Sequence, residues 1–146
     1  MKCSIVTVCY NSEATIKNTV ESIISQDYGN IEYIIVDGGS NDRTLSIIDN
    51  YRNHIDCLIS EKDDGIYDAM NKGIRLASGE VVGILNSDDI YVDSFTVSSI
   101  INAFKESKAD CVFADLIYTR PPDDNKVIRY YKANSFRLKH FEYGHQ

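Results

Sequence analysis

The chain has 146 residues, enough for one domain with a hydrophobic core, and its 43% apolar and 25% charged content is ordinary for a globular protein. A net charge of −7 with no basic tract excludes broad nucleic-acid binding through phosphates, which needs a clustered cationic face. The longest apolar runs fall far short of the ~20 residues that span a bilayer, and Met1 to Val8 carries neither the apolar region nor the cleavage site of a signal peptide.

The chain opens directly on a short buried strand, Ile5-Val6-Thr7-Val8-Cys9-Tyr10. Ser12 is placed to cap a helix in which Ile16, Val20, Ile23 and Ile24 recur at helical spacing, and Tyr28-Gly29-Asn30 breaks it. Tyr33-Ile34-Ile35-Val36 is a second buried strand that ends at Asp37. The loop Gly38-Gly39-Ser40-Asn41-Asp42 leads to a helix with Leu45, Ile48 and Tyr51 on one face. Ile55 to Ile59 is a third strand, and Asp63-Asp64-Gly65 a turn. Ile66, Met70, Ile74 and Ala77 then repeat as a helix face, closed by Ser78-Gly79 as a glycine C-cap.

Glu80 to Leu85 is a fourth strand, expected to be buried. Asp93 or Ser94 starts a helix with Val97, Ile101 and Phe104 on one side. Cys111 to Ala114 is a fifth strand, residues 121–125 a turn, and Val127 to Tyr131 an edge strand. This alternation predicts an α/β fold, a mostly parallel sheet flanked by helices, because parallel neighbours need crossover connections. Cys3, Cys9, Cys57 and Cys111 form no Cys-x-x-Cys pair and read as core thiols in a reducing compartment. His54, His140 and His145 supply no zinc spacing.

In an open parallel sheet, ligands bind beyond the carboxyl ends of the strands. Those ends here are Tyr10-Asn11-Ser12, Asp37-Gly38-Gly39-Ser40, Ser60 to Asp64, and Asn86-Ser87-Asp88-Asp89. The adjacent carboxylates of Asp88 and Asp89 repel unless a cation compensates. Oxygen-only ligands without Cys or His favour Mg2+ or Mn2+, whose open positions phosphates fill. That reading makes the rim a nucleotide-diphosphate site, with Asp89 on the metal and Asp88 toward a ribose hydroxyl. Each residue also has a plainer reading. Asp88-Asp89 can be a helix-capping loop, Asp37 an acidic residue in a glycine turn, and Lys72 part of a solvated helix face.

Four runs together resemble family 2 inverting glycosyltransferases of the GT-A fold. They are Thr7-Val8-Cys9-Tyr10-Asn11-Ser12, Val36 to Thr44, Glu61 to Gly73, and Gly79 to Asp89, and they occur in the family's order within residues 3 to 118. The Glu61 to Gly73 run is most similar to bacterial transferases of exopolysaccharide, capsule or O-antigen assembly. The resemblance implies a single GT-A domain over 1–146, with a nucleotide-binding half at 1–118 and an incomplete C-terminal part. It implies that Thr7, Tyr10 and Asn11 line the nucleoside pocket and that Asp37 hydrogen-bonds the base, usually uracil. Asp63 and Lys72 match positions bordering the nucleotide. Ser87-Asp88-Asp89 matches the family's Asp-x-Asp element without its first carboxylate, with Asp88 toward ribose and Asp89 on Mn2+ or Mg2+.

The implied reaction moves a sugar from a nucleotide-diphosphate donor, a UDP-sugar, to a glycan or lipid-linked acceptor with inversion. The family's catalytic base is an acidic residue well after the Asp-x-Asp element. No segment before Gln146 matches it, Asp115 included, and the last stretch, Ser135 to Gln146, ends without a closing element. The base is therefore expected beyond Gln146. Location in the cytoplasm at the inner membrane face, peripheral membrane association and a homodimer complete the expectations. Two other classes share some of these features. A non-catalytic donor-binding module shares every motif. A nucleotidyltransferase would want a glycine-rich basic loop, which Val8 to Ser12 lacks, and the absence of Gly-x-Gly-x-x-Gly after the first strand disfavours a nicotinamide dehydrogenase.

Overall fold

The computed structural model describes residues 1–120 and 123–133. They fall into two compact units that divide after Asn102. The first holds a parallel sheet in the order β3-β2-β1-β4, built from β1 (Cys3–Cys9), β2 (Ile31–Asp37), β3 (Cys57–Ser60) and β4 (Val81–Ile84). Its helices are α1 (Ile16–Ile24), α2 (Thr44–Asp49) and α3 (Ile66–Leu76), with a short 3-10 turn at Arg52–His54. A fourth helix, α4 (Thr96–Ser107), begins in this unit, and the Asp93 side chain caps its start by accepting from Phe95 N and Thr96 Oγ1, each at 2.9 Å. Val97 and Ile101 are its buried residues.

The predicted α/β class is the one observed. Every residue of β1 is buried, as is β2 from Tyr33 to Asp37, because these central strands are covered on both faces. Burying each of Ile5, Ile34 and Ile35 contributes about 1.5–3 kcal/mol relative to exposure. Register then sets the rim: Cys9 pairs with Asp37, and Asp37 with Ser60, so three strand ends stand side by side.

Several expectations fail locally. β4 lies at a sheet edge, and its Val82 and Ile84 are 42% and 41% exposed, so the fourth strand is not the buried one expected. Ser12 does not cap α1 with its side chain. Its carbonyl accepts from Thr15 N and Ile16 N, which starts the helix at Ile16. On α3 the buried residues are Ala69 and Gly73, not Ile66 and Ile74, which are exposed. A Cβ on Gly73 would collide with Val6, so the helix sits close to β1 through its smallest residue. Ala77 ends α3 in an extended conformation, so Ser78-Gly79 is not a left-handed cap. Gly79 is there for close approach: a Cβ would stand 2.7 Å from Ser4 N and 2.8 Å from Lys2 O.

The second unit carries an antiparallel pair, β5 (Leu116–Arg120) and β6 (Asp123–Tyr131). The expected fifth strand at Cys111 to Ala114 has no regular structure, and the strand that forms begins at Leu116 and does not extend the parallel sheet. Of the expected turn at 121–125, Pro121 and Pro122 lie outside the described residues, while Asp123 to Asn125 belong to β6. Asp115 accepts from Tyr130 Oη and from Ala133 N. The expected ending, Ser135 to Gln146, also lies outside the described residues.

At the end of the parallel sheet opposite the rim, Glu32 gathers a polar cluster. It accepts from Lys2 Nζ (2.6 Å), Ser4 Oγ (2.5 Å), Ser78 N (2.8 Å) and Ser78 Oγ (2.6 Å), which ties β1, β2 and the end of α3 together. Partial desolvation pushes this carboxyl up, but the hydrogen bonds from Lys2, Ser4 and Ser78 outweigh it and hold the pKa at about 2, below the ordinary 4.5. The stabilisation is therefore present above pH 4.5 and is lost as pH falls through about 2. Glu32→Gln is expected to lower stability at pH 7 by about 1.5–3 kcal/mol, the worth of hydrogen bonds to a charged group. It should also flatten the loss of stability between pH 5 and 2 in urea titrations; an acid limb as steep as wild type contradicts this role.

Candidate functional site

The site begins with a buried carboxyl group. Asp37 ends β2 and is 0% exposed. A buried polar group costs free energy unless it is hydrogen-bonded. Its Oδ2 accepts from Gly39 N (3.2 Å), Ser40 N (3.0 Å) and Ser60 Oγ (2.7 Å), and its Oδ1 from Ser40 Oγ (2.5 Å) with Cys9 Sγ at 3.6 Å. Asp37 thus bends the chain after β2 and pins it to the ends of β1 and β3. Of the two readings of Asp37, the acidic residue in a glycine turn is the one its contacts match.

A second set of bonds locks the loop after β1 onto the loop after β2. Ser40 Oγ accepts from Asn11 N (2.8 Å), Asn11 Oδ1 from Asn41 N (3.0 Å), Thr44 Oγ1 from Ser12 N (2.7 Å), and Asp42 Oδ2 from Glu13 N (3.1 Å). Glu13 returns the contact by accepting from Arg43 N and Nε at 3.0 and 3.2 Å. Asn11 is held at φ 48°, the left-handed region that Asn tolerates better than most residues.

Between these loops and the starts of α1 and α3 lies a cleft of about 670 Å³. Val8, Tyr10, Ile66 and Ala69 give it an apolar wall, and Ser12, Asp63, Asn86, Ser87 and Asp88 a polar one. Tyr10 is 61% exposed, so its ring is free to stack on a ligand. Ser12 and Ser87 hydroxyls lie 2.8 Å apart across the cleft. Ala14 and Thr15 bring the start of α1 to the same surface.

Of the residues anticipated from sequence, Tyr10, Asn11, Asp63, Ser87 and Asp88 line this cleft. Thr7 and Asp37 do not. Thr7 is 0% exposed and its hydroxyl accepts from Tyr33 Oη at 3.2 Å, because strand alternation sends Thr7 and Val8 to opposite faces. Lys72 is also outside the lining. Its ammonium is held by Glu61 (2.9 Å), Asp68 (3.2 Å) and the carbonyl of Lys62 (3.3 Å), and the two carboxylates keep it firmly charged.

Asp89 stands beside the cleft, not in its lining. Desolvation raises its carboxyl pKa, Asp88 raises it further, and the bond from Asn86 Nδ2 (3.3 Å) opposes both. Among the described residues no three His, Cys, Asp or Glu side chains cluster as a metal cage. The donor set still fits a hard cation that takes one or two carboxylates and completes its shell with phosphate and water. Asn86 strengthens that fit, since its Oδ1 is buried without a hydrogen-bond partner. The sequence places Asn86 on the rim but assigns it no role; an amide directly before Ser-Asp-Asp at a strand end was the available signal.

Replacing Asp37 tests the scaffold. Asp37→Ala orphans the amides of Gly39 and Ser40 and the hydroxyl of Ser60, and is expected to cost at least about 1–3 kcal/mol in chemical denaturation. Wild-type stability in that variant contradicts the assignment.

Comparison with known proteins places the chain in a lineage. The model of the family described as Glycosyl transferase family 2 matches residues 4–145. Glycosyltransferase GlyG of Streptococcus pneumoniae is 32% identical over 136 residues, 91% of this chain and 44% of that protein. The structure of S. aureus TarS 1–349 in complex with UDP-GlcNAc aligns with TM-score 0.70 at 27% identity, covering 84% of this chain and 36% of that one. A mannosyltransferase, PcManGT from Pyrobaculum calidifontis, in complex with GDP-Man and Mn2+, shares the fold at TM-score 0.67 and 24% identity, over 85% of this chain and 37% of that one. The chain spans less than half the length of these proteins. With nearly its whole length matched by the family model, the chain belongs to glycosyl transferase family 2.

Proposed function

We propose that this chain forms the donor-binding part of a glycosyltransferase that takes a sugar from a nucleotide diphosphate, UDP in the first instance. The observation that carries the reading is the two-sided cleft at the carboxyl ends of β1, β3 and β4, with an apolar aromatic wall for a base and a hydroxyl-and-carboxylate wall for ribose and diphosphate. TarS, crystallised with UDP-GlcNAc, supports UDP as the carrier. Tyr10 and Ile66 would pack against the base. Asp88 would accept from a ribose hydroxyl, and the Ser12–Ser87 pair and the start of α1 would face the diphosphate.

Asp89, with Asp88 and Asn86 Oδ1 near it, would hold Mg2+ or Mn2+. The chemistry such an ion supplies is Lewis-acid stabilisation of the leaving diphosphate. In the reaction the acceptor hydroxyl gives up its proton to a general base, and its oxygen bonds the anomeric carbon from the side opposite the nucleotide. The bond to the diphosphate breaks with its electron pair on the leaving oxygen, which inverts the anomeric centre. General-base catalysis contributes ~10²–10⁴-fold to such a step. We assign the base to no residue of this chain.

The acceptor class proposed is a hydroxyl of a glycan or lipid-linked glycan in bacterial cell-surface polysaccharide synthesis. Its support is the Glu61 to Gly73 run, and the same reading puts the reaction in the cytoplasm at the inner membrane face. Among the described residues no helix is long and apolar enough to cross a membrane.

Calorimetry with UDP in the presence and absence of MnCl2 tests the site. UDP is expected to bind, manganese to tighten it, and Asp89→Ala to abolish the manganese effect at a cost of about tenfold in affinity, ~1.4 kcal/mol. Absence of UDP binding with manganese present, or an Asp89→Ala variant indistinguishable from wild type, overturns the proposal.

A further inference from the structure

The loop after β2 runs Asp37-Gly38-Gly39-Ser40, and Gly38 needs no left-handed backbone. What it needs is room. A Cβ at position 38 would lie 2.5 Å from Asp63 Oδ2 and 3.2 Å from Asp63 Cγ. The space beside Gly38 is therefore filled by a carboxylate delivered from the loop after β3. That carboxylate is fixed on one side only. Its Oδ1 accepts from Gly65 N at 2.9 Å, and no described donor pairs with its Oδ2. Asp63 lines the cleft together with Tyr10, Ile66, Val8 and Ala69.

Asp37, in contrast, has both oxygens committed to Gly39, Ser40 and Ser60 and has no surface in the cleft. Both ends of the pocket carry carboxyl groups, Asp63 at one and Asp88 with Asp89 at the other, and only the second is paired with the proposed cation. Cys9, beside this wall, is raised above its ordinary pKa by burial first and then by Asp37, Asp42 and Asp63. Without a cation to offset them, the carboxyl groups at the Asp63 end repel a diphosphate, whereas a neutral ring that offers an N–H donor suits them. The apolar residues around Asp63 suit the faces of such a ring.

We propose that Asp63, not Asp37, reads the nucleobase, and that it selects uracil by accepting the imide N3–H through Oδ2. Gly38 is the positioning residue that leaves Asp63 room to do so, and the bonds of Asp37 fix the loop that carries Gly38. This inference rests on the nucleotide-site reading above. Cytosine is the discriminating competitor. It has nearly the same shape as uracil, but its N3 is an acceptor, which would face the Asp63 oxygen without a proton between them. Sites built to hydrogen-bond an N–H or O–H reject analogues that lack it far more strongly than apolar pockets reject a change of size.

Dissociation constants for UDP and CDP, measured with MnCl2 on wild type, Asp63→Asn and Gly38→Ala, test this. Wild type is expected to prefer UDP by at least about tenfold, since the mismatched base leaves a polar group unpaired. Asp63→Asn presents an amide that can donate to cytosine N3, so the preference should fall to near unity or reverse. Gly38→Ala keeps the carboxylate but displaces it, so UDP should weaken several-fold while CDP changes little. An Asp63→Asn protein that keeps the wild-type ratio, a Gly38→Ala protein that binds UDP as wild type does, or a wild type that does not discriminate overturns the role of Asp63 while leaving the nucleotide site standing. A wild type that binds neither nucleotide overturns both.

Discussion

The rim of the parallel sheet depends on one interaction: the hydrogen-bonding of a carboxyl group that has no access to water. Asp37 sits at the end of the central strand β2, and its oxygens accept from the turn that follows and from Ser60 on the neighbouring strand. Leaving those donors or that acceptor unmatched in the interior costs more than any surface contact returns. The chain satisfies them by bending sharply after β2 and drawing β3 alongside. The Asn11 and Glu13 backbone amides then find partners on the same bent loop, and that of Ser12 on Thr44 at the start of α2. A cleft with fixed walls is what remains once these bonds are made.

This arrangement explains what the sequence disclosed and what it withheld. The runs Ile5 to Cys9 and Tyr33 to Val36 are apolar because both faces of β1 and β2 are covered, and continuous apolarity is readable directly. The alternation of strands and helices gave the parallel sheet, and hence the edge at which to look for a site. Side-chain direction was less legible. Thr7 and Val8 are adjacent in a wholly buried strand, so no polar–apolar alternation marks which one faces the ligand side. The α3 face was misjudged for a related reason. Ile66 and Ile74 repeat at helical spacing, but the close approach to β1 is made by Gly73, which a hydrophobic pattern scores as nothing. At Cys111 to Ala114 a short apolar run looked like a strand, yet pairing starts only at Leu116, where β6 offers a partner.

The polar residues divide along the same line. An aspartate after a strand looks alike whether it faces a cleft or its own loop, and only the hydrogen-bond accounting separates Asp37 from Asp63. Glycine carried the distinguishing information: Gly38 is small because Asp63 lies over it, and Gly79 because β1 passes beneath it. The pair Asp88-Asp89, which raised the question of how neighbouring carboxylates tolerate each other, is partly answered. Asp89 is less acidic than an ordinary aspartate, through desolvation first and its neighbour second, and Asn86 supports it from within the loop. On the proposed nucleotide-site reading these features serve one purpose, since a nucleotide diphosphate presents a neutral ring, a diol and a charged tail in that order.

The most direct measurement of this account is a titration of the isotope-labelled protein with UDP, followed by backbone amide shifts. Binding at the rim predicts that the largest changes fall on residues 8–12, 38–40, 61–65 and 86–89. The amides of Lys2, Glu32 and Ser78, at the other end of the strands, should stay in place. If the largest changes instead surround the small hollow lined by Ile23, Tyr28, Tyr33 and His54, or if saturating UDP moves no resonance, the rim is not a UDP site.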